Sequence, residues 1–262
     1  MKYNKQLSDI ISQVAQISGY LWEKGWAERN GGNISYNITE FAPELMSFEA
    51  IAPEVEIGFE VSHLKNAIFY VTGTGKRMRY VSQSPLDNGS IIRICDDCRH
   101  YETIAEYDIR PTSELPSHLA IHDYLQVRSS SYKAVMHTHP TDLIAMSHHT
   151  PFLKKDVLTH LLWSMIPETR AFCPKGLGIV PYKLPGSVEL ATATIEQLKN
   201  YDVVMWEKHG VLAVGENLIE AFDMIDTLSK SAQIYMDSRM MGFIPEGLSD
   251  LQMDELREAF NL

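Results

Sequence analysis

Three histidines in two separated segments have the residue type and spacing to hold a metal ion. His137 and His139 stand two residues apart, where the short apolar run 133–136 ends. Because side chains alternate along a strand, both imidazoles are expected on one face, with Thr138 on the other. His209 lies between two further apolar segments and could supply a third ligand. Three imidazoles leave a position open on zinc, which is typical of a catalytic site.

These histidines also have a simpler interpretation. The chain contains 10 histidines, so a His-x-His pair arises easily by chance among surface or core residues. His118 and His122 form a rival pair, four residues apart on one expected helix face, but they lack the glutamate of a metalloprotease helix. We expect this second pair to be ordinary helix residues, hydrogen-bonded or solvated. Spacing alone leaves both interpretations of His137 and His139 open.

Two glycine-containing turns indicate an anion site. Segment 72–76 (TGTGK) follows an apolar run, and we expect its amide N–H groups and a following helix N-terminus to face an anion. It is not a Walker A loop, because it lacks the four-residue gap and the hydroxyl residue after lysine. Segment 30–33 (NGGN) is equally compatible with a tight turn. Together with Ser113, the two turns favour an oxyanion site.

Two carboxylates are candidates for proton transfer. Glu114 lies in the first turn of an expected helix, for which Ser113 is the expected N-cap and Pro116 is tolerated because it falls in the first turn. A glutamate there usually complements the helix dipole, but beside a metal ion it could act as a general base. Glu168 lies in an apolar neighbourhood, in an expected loop.

The elements that must position these residues follow from hydrophobic periodicity. Residues 7–24 predict an amphipathic helix that Gly25 terminates. Further helices are expected near 141–148 and 154–162 and after the capping pair Asn217 and Glu220. Strands are expected at 34–38 and 133–136, and the apolar runs 67–71, 203–206 and 211–214 predict three more. Strands and helices mix without strict alternation, so we expect an α/β fold whose central, largely antiparallel sheet is flanked by helices on both sides.

Composition narrows the class of protein. The chain has 262 residues, of which 45% are hydrophobic, and no linker or low-complexity tract divides it, so we expect one domain over 1–262. A net charge of -11 argues against nucleic-acid binding, although it does not exclude a small anionic substrate. No signal peptide and no apolar run of about 20 residues is present, so we expect a cytoplasmic protein without a membrane span. Cys95 and Cys98 are expected to be free thiols.

Five motifs occur in an order that resembles the class II aldolase family, which includes fuculose-1-phosphate aldolase and ribulose-5-phosphate 4-epimerase. The resemblance covers nearly the whole chain, roughly residues 20–240. None of the motifs is specific alone, but their order is. They are GWAERNGGN at 25–33, TGTGK at 72–76, PTSELP at 111–116, HTHPT at 137–141 and KHG at 208–210.

The resemblance implies a role for each matching residue. It implies one zinc ion per chain, with the ligands His137, His139 and His209. It implies a phosphate site lined by Asn30, Gly31, Asn33, Thr74 and Ser113. It also implies that Glu114 is the catalytic acid–base residue and that Glu168 is a second carboxylate found in one branch of the family.

The activity implied is cleavage of a phosphorylated ketose to dihydroxyacetone phosphate and an aldehyde, in a homotetramer. Zinc would act as the Lewis acid, so no Schiff-base lysine is needed. A phosphopentose epimerase of the same family and a non-catalytic scaffold are the alternatives. The three histidines and Glu114 argue against the scaffold, and Glu168 argues against the epimerase.

Overall fold

A nine-stranded sheet forms the framework of the computed structural model, which describes residues 3–128, 131–154 and 156–262. The strands are β1 Asn33–Asn37, β2 Val55–Glu56, β3 Ile68–Thr72, β4 Gly89–Ile94, β5 His100–Thr103, β6 Ala134–Thr138, β7 Leu177–Val180, β8 Val203–Trp206 and β9 Gly210–Gly215. Their order is β2-β5-β4-β3-β1-β6-β9-β8-β7. Only the pair β7 and β8 is parallel among the described strands, which confirms the largely antiparallel sheet.

Nine α-helices lie in these described ranges. They are α1 Lys5–Glu23, α2 Met78–Val81, α3 Leu115–Val127, α4 Thr141–Ser147, α5 Val157–Met165, α6 Pro167–Phe172, α7 Val188–Leu198, α8 Leu218–Met240 and α9 Asp250–Phe260. Two short 3-10 helices, Pro43–Ser47 and Thr150–Leu153, complete the helical structure of this part of the chain. None of the described helices combines the length and the apolar character that crossing a bilayer requires.

Helices cover both faces of the sheet, as alternation along β6 shows. Ala134 and Met136 belong to a hydrophobic core that includes residues of α1, α4, α5 and α8. Val135 belongs to a separate core on the other face, with Ile121 of α3 and Leu190 of α7. Alternate side chains of one strand therefore pack against different helices. The expected helices on both sides of the sheet are confirmed.

The first helix shows how local sequence sets its element. Asn4 caps α1 by accepting a hydrogen bond from the N–H of Leu7, and Gly25 follows the helix with φ 72°. A positive φ suits glycine because it has no Cβ, so the chain turns there toward β1. The apolar side chains at helical spacing are all buried: Leu7, Ile10, Val14, Ile17 and Leu21.

Two local expectations were wrong. Glu114, not Ser113, is the N-cap of α3, because the N–H of Leu115 donates to the carbonyl of Thr112 and closes a turn before the helix. Glu168 lies in the first turn of the short helix α6 and not in a loop. Pro167 precedes it in that turn, where the fixed φ of proline favours helix initiation and its missing N–H has no cost.

Candidate metal centre and active site

The sheet brings the three histidines of the sequence prediction together. His137 is in β6, His139 follows that strand, and His209 lies in the turn between β8 and β9. Because β9 pairs with β6, this turn stands beside the end of β6. One nitrogen from each imidazole can be chosen so that all three lie within 4.8 Å of one another. The predicted proximity is confirmed, and metal ligation stays a prediction.

Hydrogen bonds fix which nitrogen two of these rings offer. Nδ1 of His137 donates to the carbonyl of Val211 at 3.0 Å, and Nδ1 of His139 donates to Oε1 of Glu28 at 2.7 Å. In the neutral rings Nε2 then carries a lone pair, and the two Nε2 atoms face each other at 3.1 Å. Two facing lone pairs repel unless a cation lies between them. Two nitrogens on tetrahedral zinc stand about 3.3 Å apart, so this pair fits the ion.

Burial keeps two of the rings neutral, as metal ligands must be. It lowers the pKa of His137 well below its usual value. It also lowers the pKa of His209 to about 4, and the nearby His139 contributes to this shift. Nδ1 of His209 is buried and has no hydrogen-bond partner among the described residues. A buried nitrogen without a partner is costly, and a bound ion or water would satisfy it.

Two glycines let the backbone approach the histidine rings. A Cβ at Gly31 would lie 2.9 Å from Nδ1 of His139. A Cβ at Gly210 would lie 2.7 Å from Cε1 of His137 and 2.8 Å from Cδ2 of His139. Both positions therefore exclude larger residues. The role of Gly210 was missed from the sequence, although a glycine directly after a candidate ligand is the signal that could have revealed it.

Glu28 has a testable role as the partner of His139. A carboxylate that accepts from the far nitrogen of a metal-binding histidine fixes its tautomer and orientation. We expect Glu28→Ala to lower zinc affinity about 10- to 100-fold, as loss of such partners does elsewhere. Competition with a chromophoric chelator measures this, with Glu23→Ala, an exposed glutamate of α1, as the control. Equal affinities for the two variants would show that another group orients His139.

Glu114 lies at the start of α3, close to the histidines. Nδ2 of Asn33 donates to its Oε2 at 2.7 Å. Burial raises the pKa of Glu114, while the hydrogen bond from Asn33 and the electrostatic influence of the nearby His139 lower it. A carboxylate with such opposing influences beside a metal centre has the chemistry of a general base.

Three amides of the predicted cradle at 72–76 are engaged within the protein, and anion binding by this loop stays a prediction. The N–H groups of Gly73, Thr74 and Lys76 already donate to the carbonyls of Asn88, Arg110 and Gly73, respectively. Gly73 also forms a bridge to Pro111. Of the three amides, only that of Thr74 bonds to the segment before α3, through Arg110. The Thr74 side chain is exposed, so its hydroxyl is available to an anion.

The other predicted phosphate residues lie in two places. Asn30 and Gly31 are in the turn between α1 and β1, and Ser113 is exposed in the turn before α3. Asn33 is 7% exposed, and its amide bonds to Glu114 and also contacts a ring nitrogen of His118. Its Nδ2 keeps one further hydrogen. The phosphate role of these residues stays a prediction.

Glu168 is not joined to the histidines by any hydrogen bond or ion pair among the described residues. It lines a cleft of about 650 Å³ with Trp26, Thr141 and Ser229. The carbonyl of Trp26 accepts the N–H of His139 at 2.9 Å, so this cleft adjoins the metal centre. The catalytic role of Glu168 stays a prediction.

Comparison with known proteins agrees with this geometry. The family described as Class II Aldolase and Adducin N-terminal domain matches residues 12–236. The chain is 58% identical to a rhamnulose-1-phosphate aldolase of Bacteroides thetaiotaomicron, over 98% of this chain and 96% of that protein. It is 33% identical to a rhamnulose-1-phosphate aldolase of Enterococcus faecalis, over 97% and 91% of the two chains.

A solved structure resembles the whole fold. The sugar-phosphate aldolase of Thermotoga maritima superimposes with a TM-score of 0.80 at 32% identity, covering 92% of this chain and 99% of that chain. Sequence and fold thus lead to one conclusion. The chain belongs to the class II aldolase and adducin N-terminal domain family.

Proposed function

We propose that this chain is a zinc-dependent aldolase that reversibly cleaves L-rhamnulose 1-phosphate to dihydroxyacetone phosphate and L-lactaldehyde. The observation that carries the proposal is the cluster of His137, His139 and His209 with the half-buried Glu114 nearby. The 58% identity to a rhamnulose-1-phosphate aldolase supports the choice of substrate. Three imidazoles, with no thiolate in the cluster, support zinc as the metal.

Each group of residues in the site has a separate role in the proposed reaction. When bound, the metal ion supplies Lewis-acid stabilisation of negative charge that develops on the ketose oxygens. Glu114 accepts and returns the proton at the carbon that becomes nucleophilic, and Glu168 acts as a second carboxylate. The phosphate is held by Asn30, Gly31, Asn33, Thr74 and Ser113. Holding the phosphate orients the substrate and lowers the entropic barrier to reaction.

We also propose the setting in which this activity operates. The chain acts as one domain over 1–262, with one zinc ion per chain, in a homotetramer of the cytoplasm. The family resemblance supports the tetramer. Sedimentation equilibrium of the zinc-loaded protein tests it directly, and a monomer at micromolar concentration would contradict it.

The proposed activity is tested in the direction of synthesis, starting from the two cleavage products. We expect the zinc-loaded protein to join dihydroxyacetone phosphate and L-lactaldehyde, and we expect nuclear magnetic resonance to identify the product as L-rhamnulose 1-phosphate. Cleavage of unphosphorylated L-rhamnulose should be poor, because the phosphate contacts are then lost.

Two results would contradict the assignment. A product with the fuculose configuration would assign a different aldolase. Interconversion of pentulose 5-phosphates without net cleavage would assign the epimerase.

A further inference from the structure

A polar layer lies buried between β1 and α3, beside the candidate active site. Ile34 of β1 faces the main core, whereas Asn33 and Ser35 point to the opposite face and contact α3. There they meet His118 and His122, each only 1% exposed. Burying an imidazole without hydrogen bonds is costly, so two adjacent buried histidines need defined partners.

These side chains form one continuous line of hydrogen bonds that ends on Glu114. Nδ2 of Asn33 donates to Oε2 of Glu114 at 2.7 Å, and Oδ1 of the same amide contacts Nε2 of His118. Nδ1 of His118 lies 2.7 Å from Oγ of Ser35. Oγ of Ser35 lies 2.9 Å from Nε2 of His122. The line therefore runs from the interior of the protein to the carboxylate at the start of α3.

The partners determine where each proton lies. An ionised carboxylate accepts only, so Asn33 must direct its NH2 group to Glu114 and its oxygen to His118. That oxygen also accepts only, which places a proton on Nε2 of His118. Burial lowers the pKa of His118 to about 3, so the ring is neutral and its Nδ1 is an acceptor. The hydroxyl of Ser35 then donates to His118.

The far end of the line follows the same rule. Because the hydrogen of Ser35 is used on His118, its oxygen accepts from Nε2–H of His122. Burial keeps His122 neutral by lowering its pKa well below the usual value. Every donor in the line thus has one acceptor, with no alternative assignment while Glu114 is ionised.

We propose that His118 and Ser35 are positioning residues for Glu114, because they lock the Asn33 amide in the orientation that presents its N–H to the carboxylate. Without the donor on His118, the amide is free to rotate and to turn its oxygen toward Glu114. Oxygen and carboxylate would repel each other, so the base would lose both its position and a hydrogen bond that favours its ionised form. This inference rests on the proposed function for its kinetic readout only.

The kinetic test compares two buried histidines of one helix. We expect His118→Phe to lower kcat about 10- to 100-fold, a part of the about 10²–10⁴-fold that a general base contributes. KM should rise by a smaller factor, because Asn33 is only one of the five proposed phosphate residues. Ser35→Ala should have a smaller effect in the same direction. His122→Phe removes an equally buried imidazole that does not touch Asn33, and it should change kcat less than about threefold. His118→Gln keeps an N–H donor at the position of Nε2 and should restore most of the activity.

The pH profile separates positioning from a structural defect. The hydrogen bond from Asn33 lowers the pKa of Glu114. Loss of this hydrogen bond raises the pKa of Glu114. In a plot of kcat against pH, the fall in kcat at low pH (the acid limb) should therefore begin at higher pH in His118→Phe and Ser35→Ala, but not in His122→Phe. A folding defect would lower the amount of active protein without moving the limb. An unchanged limb and unchanged kcat in folded His118→Phe would overturn the proposal.

A second measurement needs neither activity nor a variant of His118. Long-range proton–nitrogen correlation spectra of the zinc-loaded protein should show His118 and His122 as Nε2–H tautomers from about pH 5.5 to 8.5, since both rings stay neutral when buried. An Nδ1–H tautomer or protonation of His118 in this range would overturn the assignment, even if His118→Phe did not fold. A wild-type protein without aldolase activity would refute the proposed function alone.

Discussion

Alanine at His137, His139 and His209 together should leave a protein that holds no zinc and has no measurable aldolase activity. His139→Ala alone should already lose most of the metal. The three imidazoles are the candidate metal cluster found among the described residues, and each can offer one nitrogen. A Lewis acid contributes several kcal/mol to charge stabilisation, so we expect a rate loss of about 10³-fold or more.

Elemental analysis of the purified variants measures the metal directly. His160→Ala is the matched control, because this exposed histidine pairs with Asp250, away from the cluster. It should keep one zinc ion per chain and full activity. Stoichiometric zinc in the triple variant would show that the ion binds elsewhere, and it would remove the basis of the proposed function.

The proximity of His137 and His139 was predictable from sequence because their spacing is short and local. A spacing of two positions sets the rings of His137 and His139 on one side of a strand, whichever strands flank it. The position of His209 was not predictable in this way. It depends on β9 pairing with β6, where His137 lies opposite Leu212. Family resemblance, and not periodicity, joined the third ligand to the other two.

The buried polar layer between β1 and α3 could not be predicted from the sequence, for a different reason. Alternation of Asn33, Ile34 and Ser35 indicates a strand with one polar face, and such a face is usually solvated. Here α3 covers it, which only the tertiary structure reveals. His118 and His122 were expected to be ordinary helix residues, hydrogen-bonded or solvated. They are hydrogen-bonded and buried.

The amides of loop 72–76 also depend on parts of the chain that are distant in sequence. The glycines and threonines of this loop suit an anion-binding turn, but the N–H groups of Gly73 and Thr74 bond to the carbonyls of Asn88 and Arg110. Whether an amide is free for a ligand depends on such distant pairing and cannot be read from composition. Side-chain hydroxyls, such as that of Thr74, remain candidate anion-binding groups because backbone pairing does not use them.

Glu114→Gln should fold, bind zinc and cleave the substrate about 10²–10⁴-fold more slowly than the wild type, the range for loss of a general base. Glutamine keeps the length of the side chain and an oxygen that can accept from Asn33. If Glu114 served only the dipole of α3, its loss would cost about 0.3–1 kcal/mol of stability and leave turnover nearly intact. Steady-state kinetics and thermal unfolding on the same preparation separate these two roles.

A half-reaction then isolates the proton transfer itself. Exchange of the α-proton of dihydroxyacetone phosphate with deuterated solvent needs the metal and the base but no aldehyde. In Glu114→Gln this exchange should fall in parallel with cleavage, since one carboxylate performs both proton transfers. Glu168→Gln is the comparison, because Glu168 lies in the adjoining cleft without a bond to the histidines among the described residues. If exchange persists at the wild-type rate in Glu114→Gln and is lost in Glu168→Gln, the base is Glu168.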